Sequence, residues 1–295
     1  MTDKSEIKDK ITNIETEMNS PDFWNDKDLA QSKIKKLQEL KDELEGFGKF
    51  DKGGAHLTIF SGAGGDDAED FSRMLLEMYQ KYISSKGWKL FLLHENKNSV
   101  GGYRNVTIEV VGKNAYKFLK HESGVHRLVR ISPFNSAKQR HTSFSMVEVV
   151  PKLEKLSDSD LEIPEEELEI EFTKSSGPGG QNVNKRETAV RVVHLPTKLS
   201  AFIDTERSQL QNKEKALELI HGKVYNLREQ ERLEKEQGMQ ISKTTDAKWG
   251  SQIRSYVLHP YQMVKDHRTD FEVRDVEKVL GGDLDELIKK MEELQ

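Results

Sequence analysis

The spacing of apolar residues changes character at one place in this chain, and that change limits what each part can become. Up to residue 50, Ile7, Ile11, Ile14 and Met18, then Ile34, Leu37, Leu40 and Leu44, recur at three- and four-residue intervals. That is the period of helices that bury one face. Pro21 separates the two sets, so residues 1–50 are expected to form a short, acidic helical hairpin suited to docking or spacing. Asp51-Lys52-Gly53-Gly54 reads as a linker. From His56 the pattern becomes strand-like. His56–Phe60, Lys89–His94, Asn105–Val111 and Ser143–Val150 are strand candidates. Asp66–Ser85 reads as a helix with Asp66 and Glu69 spaced as a capping box, and Lys113–Lys120 as a second helix. This is an α+β domain of about a hundred residues.

A second α+β unit follows the acidic linker 152–167. Leu168–Thr173, Thr188–Leu195 and Leu199–Asp204 read as strands and Arg207–Glu236 as a long charged helix. Residues 238–252 form a polar loop, Ile253–Leu258 a strand, and Asp283–Leu294 an amphipathic helix. The expected organisation is multidomain α+β. It comprises an N-terminal helical segment (1–50), a central α/β domain (54–152), a loop-bearing α+β domain with a long helix (162–246), and a C-terminal segment (247–295) packing back on the central domain. Hydrophobic residues make up 35% and charged residues 33%, which suits several small cores. No run of about 18 apolar residues exists, the N-terminus lacks a signal-peptide pattern, and there are no cysteines for disulfides or thiolate metal sites. A cytoplasmic protein without membrane partner, metal or cofactor is expected.

The net charge of −5 conceals segregation. Residues 113–141 carry seven Lys/Arg against one acid, Glu122, whereas residues 152–171 carry nine acids against two lysines. A basic face could follow a phosphate backbone on an otherwise acidic protein; a merely solvated surface fits equally well. Other motifs fail. His121 and His126 are five residues apart, not the four of a zinc helix. Gly62-Ala63-Gly64-Gly65 lacks the third glycine of a dinucleotide fingerprint, and there is no Gly-x-Ser-x-Gly elbow.

The connection Lys174–Glu187 is much longer than the two to five residues usual between paired strands. Its glycines Gly177, Gly179 and Gly180 allow close backbone approach to a partner, and Lys174, Lys185, Arg186 and Arg191 at its base suit RNA phosphates. Ser175-Ser-Gly-Pro-Gly-Gly-Gln-Asn-Val-Asn-Lys185, with Ala189-Val-Arg191 and Glu206-Arg-Ser-Gln209, resembles the catalytic domain of class-I peptide chain release factors. The resemblance implies that Gly179, Gly180 and Gln181 enter the ribosomal peptidyl transferase centre and assist water attack on the peptidyl-tRNA ester. The Gln181 backbone N–H would stabilise developing oxygen charge, while its side chain admits water and excludes larger nucleophiles. Such a loop is not an enzyme by itself. It also implies N5-methylation of Gln181 by a glutamine methyltransferase. Asn182, where stop-codon factors often carry His, leaves open a codon-independent ribosome-rescue factor; a non-catalytic RNA-binding regulator is the other alternative.

His126–Asn135 and Arg140–Ser143 resemble the decoding segment of the release factor 2 branch, which rescue factors lack. Ser132-Pro133-Phe134 stands at the tripeptide that reads the codon. A hydroxyl can accept from adenine or donate to guanine, so Ser132 would tolerate UAA and UGA. Pro133 would hold the loop, Phe134 would anchor it or pack in the core, His141 would stack between bases, and Thr142 would bond the third. The first uridine would be met near Gly64-Gly65-Asp66-Asp67, at Gly65 and Asp67, with Asp66 a helix cap. Trp249–Tyr256 and Pro260–Arg268 resemble the switch-loop tract, with Trp249 stacking on RNA. The partners implied are the ribosome at both centres, the mRNA stop codon, the P-site peptidyl-tRNA and the class-II release-factor GTPase. The shortened N-terminal domain is the main departure from the pattern.

Overall fold

The computed structural model describes residues 4–18, 30, 31, 33, 34, 36, 37, 40, 50–152, 163–174, 187–236 and 251–294. Gly179, Gly180, Gln181 and Trp249 lie outside the described residues. The chain divides into two compact units, Met1–Lys52 and Gly53–Gln295.

In the first unit, α1 (Lys4–Met18) is a helix, and residues 30, 31, 33, 34, 36, 37 and 40 are helical. Ile11 and Leu37 are buried together, with Ile14, Met18 and Leu40 against them. The helical spacing therefore produces the expected apolar seam, although Ile34 lies outside it, 38% exposed.

The second unit is built on an eight-stranded sheet. Its strands are β1 (Ala55–Ser61), β2 (Lys89–Lys97), β3 (Tyr103–Val111), β4 (Gly124–Ile131), β5 (Arg140–Pro151), β9 (Gln252–Val257), β10 (Met263–Asp266) and β11 (Glu272–Val273). They lie in the order β11-β10-β9-β4-β5-β1-β3-β2. Every pairing is antiparallel except β4 with β9, which run parallel with Val129 opposite Val257. Alternation along β1 places Leu57 and Ile59 under α2 (Asp66–Ser85), where Phe71, Leu75, Met78 and Tyr79 are wholly buried. Burying each such side chain contributes about 1.5–3 kcal/mol. α5 (Val276–Leu280) and α6 (Asp285–Glu292) extend the same core through Val276, Val279, Leu287 and Ile288.

A three-stranded sheet, β6 (Leu168–Thr173), β7 (Ala189–His194) and β8 (Ser200–Ile203), carries the long helix α4 (Gln209–Glu236), while α3 (Ala115–Leu119) is a short turn of helix before β4. Ala216, Leu219 and Ile220 of α4 share a core with Val190, Val192 and Ile203, and with Leu93 and Val150 of the large sheet. A cavity of about 760 Å³ remains between them, floored by Thr58, Thr107 and Met146 and bordered by Phe202 and Lys223. Among the described residues, no helix is long and apolar enough to cross a membrane.

Three local expectations are corrected. The capping box does not form: Gly65 is the N-cap, with φ 56°, and no side chain caps the helix. Glu69 instead accepts from Arg104 Nε at 3.1 Å. Gly124–Ile131, a stretch in which no strand is expected from the sequence, is an interior strand. The 113–141 segment is also not one basic face, since Arg130 turns inward onto acids and Lys117 lies 3.9 Å from Glu292.

A buried ionic cluster fastens the C-terminal strands. Arg254 on β9 is fully buried and donates to Glu122 through Nη1 at 2.6 Å and Nη2 at 2.7 Å. Nη2 also reaches Asp266 on β10 at 3.1 Å, and Arg268 closes onto Asp266 at 2.7 Å. Tyr79 donates to Glu122 at 3.0 Å. Burial opposes the Glu122 charge, but Arg254 outweighs it and holds the carboxyl below its usual value. Beside it, burial pushes His126 down from 6.5 to about 4, and burial does the same to His56 on β1.

These shifts predict acid sensitivity. At pH 5 both folded imidazoles are neutral, whereas the unfolded chain binds a proton at each. Their contribution is complete above 6.5 and declines as the pH falls toward about 4. Asp266, pulled down to about 2 by Arg268 and Arg254 against the cost of burial, adds stability above 3.8 that is lost toward about 2. Urea midpoints should therefore fall steadily between pH 6.5 and 4; a flat profile across that window would contradict the assignment.

Candidate RNA-reading site

The tip of the β4–β5 hairpin is ordered by its own side chains. Ser132 N–H donates to Gln139 O at 3.1 Å and Lys138 N–H to Asn135 O at 3.0 Å, with Lys138 at φ 48°. Asn135 Oδ1 accepts from Ala137 N–H at 2.9 Å, the local turn for which asparagine suits. Opposite this tip, Gly62–Gly65 carries β1 into α2. Gly62 N–H and Phe144 N–H exchange bonds with Phe144 O and Ala63 O at 2.8 and 3.2 Å. Gly64 has φ 139°, and a Cβ there would sit 3.1 Å from both Ala68 Cβ and Ser143 Oγ. Glycine is therefore required at this turn by conformation and by space.

Asp67 joins the two tips. Its Oδ2 accepts from Ser132 Oγ at 2.6 Å and from His141 Nδ1 at 2.9 Å, and its Oδ1 accepts from Arg130 Nη2 at 3.2 Å. Arg130 also reaches Asp70 at 2.6 Å, and Asp70 holds Arg73 at 2.7 Å. Burial disfavours the Asp67 charge, but the bonds from Ser132, His141 and Arg130 outweigh it and hold its carboxyl below the usual range. The positive end of α2 acts in the same direction. With Nδ1–H directed at Asp67, His141 Nε2 is left to accept from Asn135 Nδ2 at 3.1 Å. Ser132 is 2% exposed, its proton committed to Asp67, and it accepts from Phe134 N–H at 3.2 Å.

The structure thus brings Ser132, His141, Asp67 and the Gly65 turn into one cluster. Pro133 and Phe134 border a hollow of about 570 Å³ next to Ser132. Phe134 is 42% exposed, so it is not a core residue. Thr142 is exposed, on the face of β5 opposite His141. Sequence reasoning missed Arg130 and Asp70, whose pairing joins elements distant in sequence, and Asn135, whose partners Ala137, Gln139 and His141 lie close by in the same hairpin.

At the base of the 174–187 connection, Arg191 pairs with Glu171 at 3.0 Å across the strands. The first turn of α4 pins the returning chain. Gln209 Nε2 donates to Glu187 O at 2.7 Å, and Asn212 Nδ2 donates to Thr188 O at 2.8 Å and Glu206 O at 3.0 Å. Asn212 is fully buried, another residue the sequence did not single out. Among the described residues no group of acids and histidines could hold a metal ion.

Comparison with known proteins gives two family matches and several close relatives. The PCRF domain family matches residues 30–147 and the RF-1 domain family residues 157–268. Peptide chain release factor 2 of Thermotoga petrophila is 38% identical, over 98% of this chain and 91% of that protein. The same factor from Thermosipho africanus is 44% identical over 89% of this chain and 70% of the relative. The solved structure of RF2 of Thermus thermophilus superposes with a TM-score of 0.72 at 38% identity, covering 97% of this chain and 82% of that one. The chain belongs to the peptide chain release factor 2 family of translation termination factors.

Proposed function

We propose that this chain ends translation at UAA and UGA, reading the codon with the α2/β4/β5 cluster and delivering Gly179-Gly180-Gln181 to the peptidyl-tRNA ester. Residues 54–152 are the codon-recognition domain and 162–246 the hydrolysis domain, with 247–295 holding the switch tract around Trp249. The observation that carries the reading is the Ser132–Asp67–His141 cluster, a polar, hydrogen-bonded tip bordered by an exposed aromatic. Asp67 acts by orienting Ser132 and His141 more than by touching the codon. With its proton on Asp67 and one lone pair taken by Phe134 N–H, the buried Ser132 hydroxyl keeps a second lone pair, which meets the exocyclic amine of adenine once the tip opens. Rotation of the hydroxyl off Asp67 lets it donate to guanine O6. His141, steadied between Asp67 and Asn135, offers a fixed ring for stacking, and Thr142 meets the third base from the opposite face of β5.

Hydrolysis needs no acid or base from this chain, because the ribosome and tRNA complete the site that the glutamine loop enters. Gln181 is the methylated residue, and the class-II GTPase and glutamine methyltransferase are its further partners. Ser132→Ala tests the codon contact. It should raise the factor concentration for half-maximal release at UAA and UGA by about tenfold, as expected for one lost hydrogen bond plus an unpaired partner. The release rate at saturation should change little. A fall in that rate with unchanged half-saturation would remove Ser132 from the codon.

A further inference from the structure

Arg130 lies near the end of β4, two residues before Ser132, with 13% of its side chain exposed. Its Nη2 spans one turn of α2, reaching Asp67 Oδ1 at 3.2 Å and Asp70 Oδ2 at 2.6 Å. Asp70 does not depend on this contact, because Arg73 donates to it through Nε at 3.0 Å and Nη2 at 2.7 Å. Asp67 does depend on it. Its other partners are Ser132 and His141, both on Oδ2, and its side chain is 6% exposed. Arg130 also holds donors in reserve. Its Nε is buried and donates to no acceptor among the described residues, and its Nη1 faces the weakly accepting Met74 Sδ at 3.5 Å. A guanidinium with spare N–H groups therefore lies against a carboxylate whose other donors are the two groups assigned to the codon.

We infer that Arg130 is the positioning residue that permits Ser132 to read guanine as well as adenine, by holding the Asp67 charge while the serine proton is away. The inference rests on the codon-reading assignment above. At UAA the hydroxyl keeps its proton on Asp67 and accepts from the adenine amine, so the carboxylate retains Ser132, His141 and Arg130. At UGA the proton turns to guanine O6, and Asp67 is left with His141 and Arg130. A buried carboxylate that loses a donor has no water to turn to, and leaving it short of partners is costly. Arg130 limits that cost, because a guanidinium stays charged whatever its partners do. The two codons therefore make unequal demands on one residue that acts through Asp67. A strut that merely tied β4 to α2 would serve both codons alike.

The test measures peptide release from purified ribosomes programmed with UAA or UGA, over a range of factor concentrations. Arg130→Met should raise the half-saturating concentration at UGA about tenfold more than at UAA, the scale of one unmet charged partner. Release rates at saturation should change little at either codon. Arg130→Gln keeps a donor but removes the charge; it should be biased in the same direction, and it carries the test if Arg130→Met does not fold. Arg130→Lys, which restores a point charge beside Asp67, should bring the two codons back to within about threefold of each other. In the double variant Asp67→Asn/Arg130→Met no charge is left to hold, so the codon bias should vanish; a bias that persists there overturns the inference. So does equal weakening at both codons in whichever single variant folds, a result that leaves Ser132 on the codon. Ser132→Ala on the same ribosomes checks the premise. If its half-saturating concentration is unchanged, the codon assignment itself falls and the inference falls with it.

Discussion

Alanine at Gly180 is expected to slow peptide release from stop-codon ribosomes by about two to three orders of magnitude, while binding moves by less than about threefold. The magnitude is that of losing one preorganised oxyanion donor, about 10²–10³ in rate. The donor itself, the Gln181 N–H, survives the substitution, but it is displaced. A Cβ at position 180 restricts the backbone and must be accommodated in a site already filled by RNA, and a displacement of about 1 Å costs on the order of 10²-fold. Gln181→Ala keeps the N–H and is expected to lose less release by water, while admitting larger nucleophiles. Single-turnover release at saturating factor separates the outcomes. If Gly180→Ala abolishes binding, the loop is a docking element and its proposed chemical role fails.

The second large effect concerns stability. Glu122→Ala removes the carboxylate that two Arg254 nitrogens and Tyr79 share, at a position with no solvent exposure. Asp266 alone then faces the buried Arg254 and the partly buried Arg268. Breaking one side of a buried pair costs about 3–5 kcal/mol, a fall in Tm on the order of ten degrees for a unit of this size. The double variant Glu122→Gln/Arg254→Met should recover part of that loss, because it leaves no charge uncompensated. Calorimetry of the three proteins decides; a cost below about 1 kcal/mol for Glu122→Ala would mean that water already screens the cluster.

What the sequence disclosed, and what it withheld, follows from the range of the interactions. The hairpin seam of Ile11 and Leu37, the α2 core face and strands β1, β3 and β5 were legible because their apolar spacing is local. β4 was not, because its inward positions include His126 and Arg130, polar side chains whose partners lie on α2 and β9. The meeting of Glu122 with Arg254 spans 132 residues and leaves no local trace. Ser132, His141 and Asp67 were each noticed, but that one carboxylate joins them required the fold. The capping box failed for a nearer reason: Gly65, with its positive φ, takes the N-cap and leaves Asp66 one position too far along. Charge counting likewise overstated the basic face, since it could not see Arg130 turning onto Asp67 and Asp70.

The central claim, that codon reading at the Ser132 cluster governs delivery of the glutamine loop, is tested most directly by release from purified ribosomes with UAA, UGA, UAG or no codon in the A site. The account predicts rapid release at UAA and UGA and background release at UAG and the vacant site. Equal release at UAG, or release from the vacant site, would contradict it.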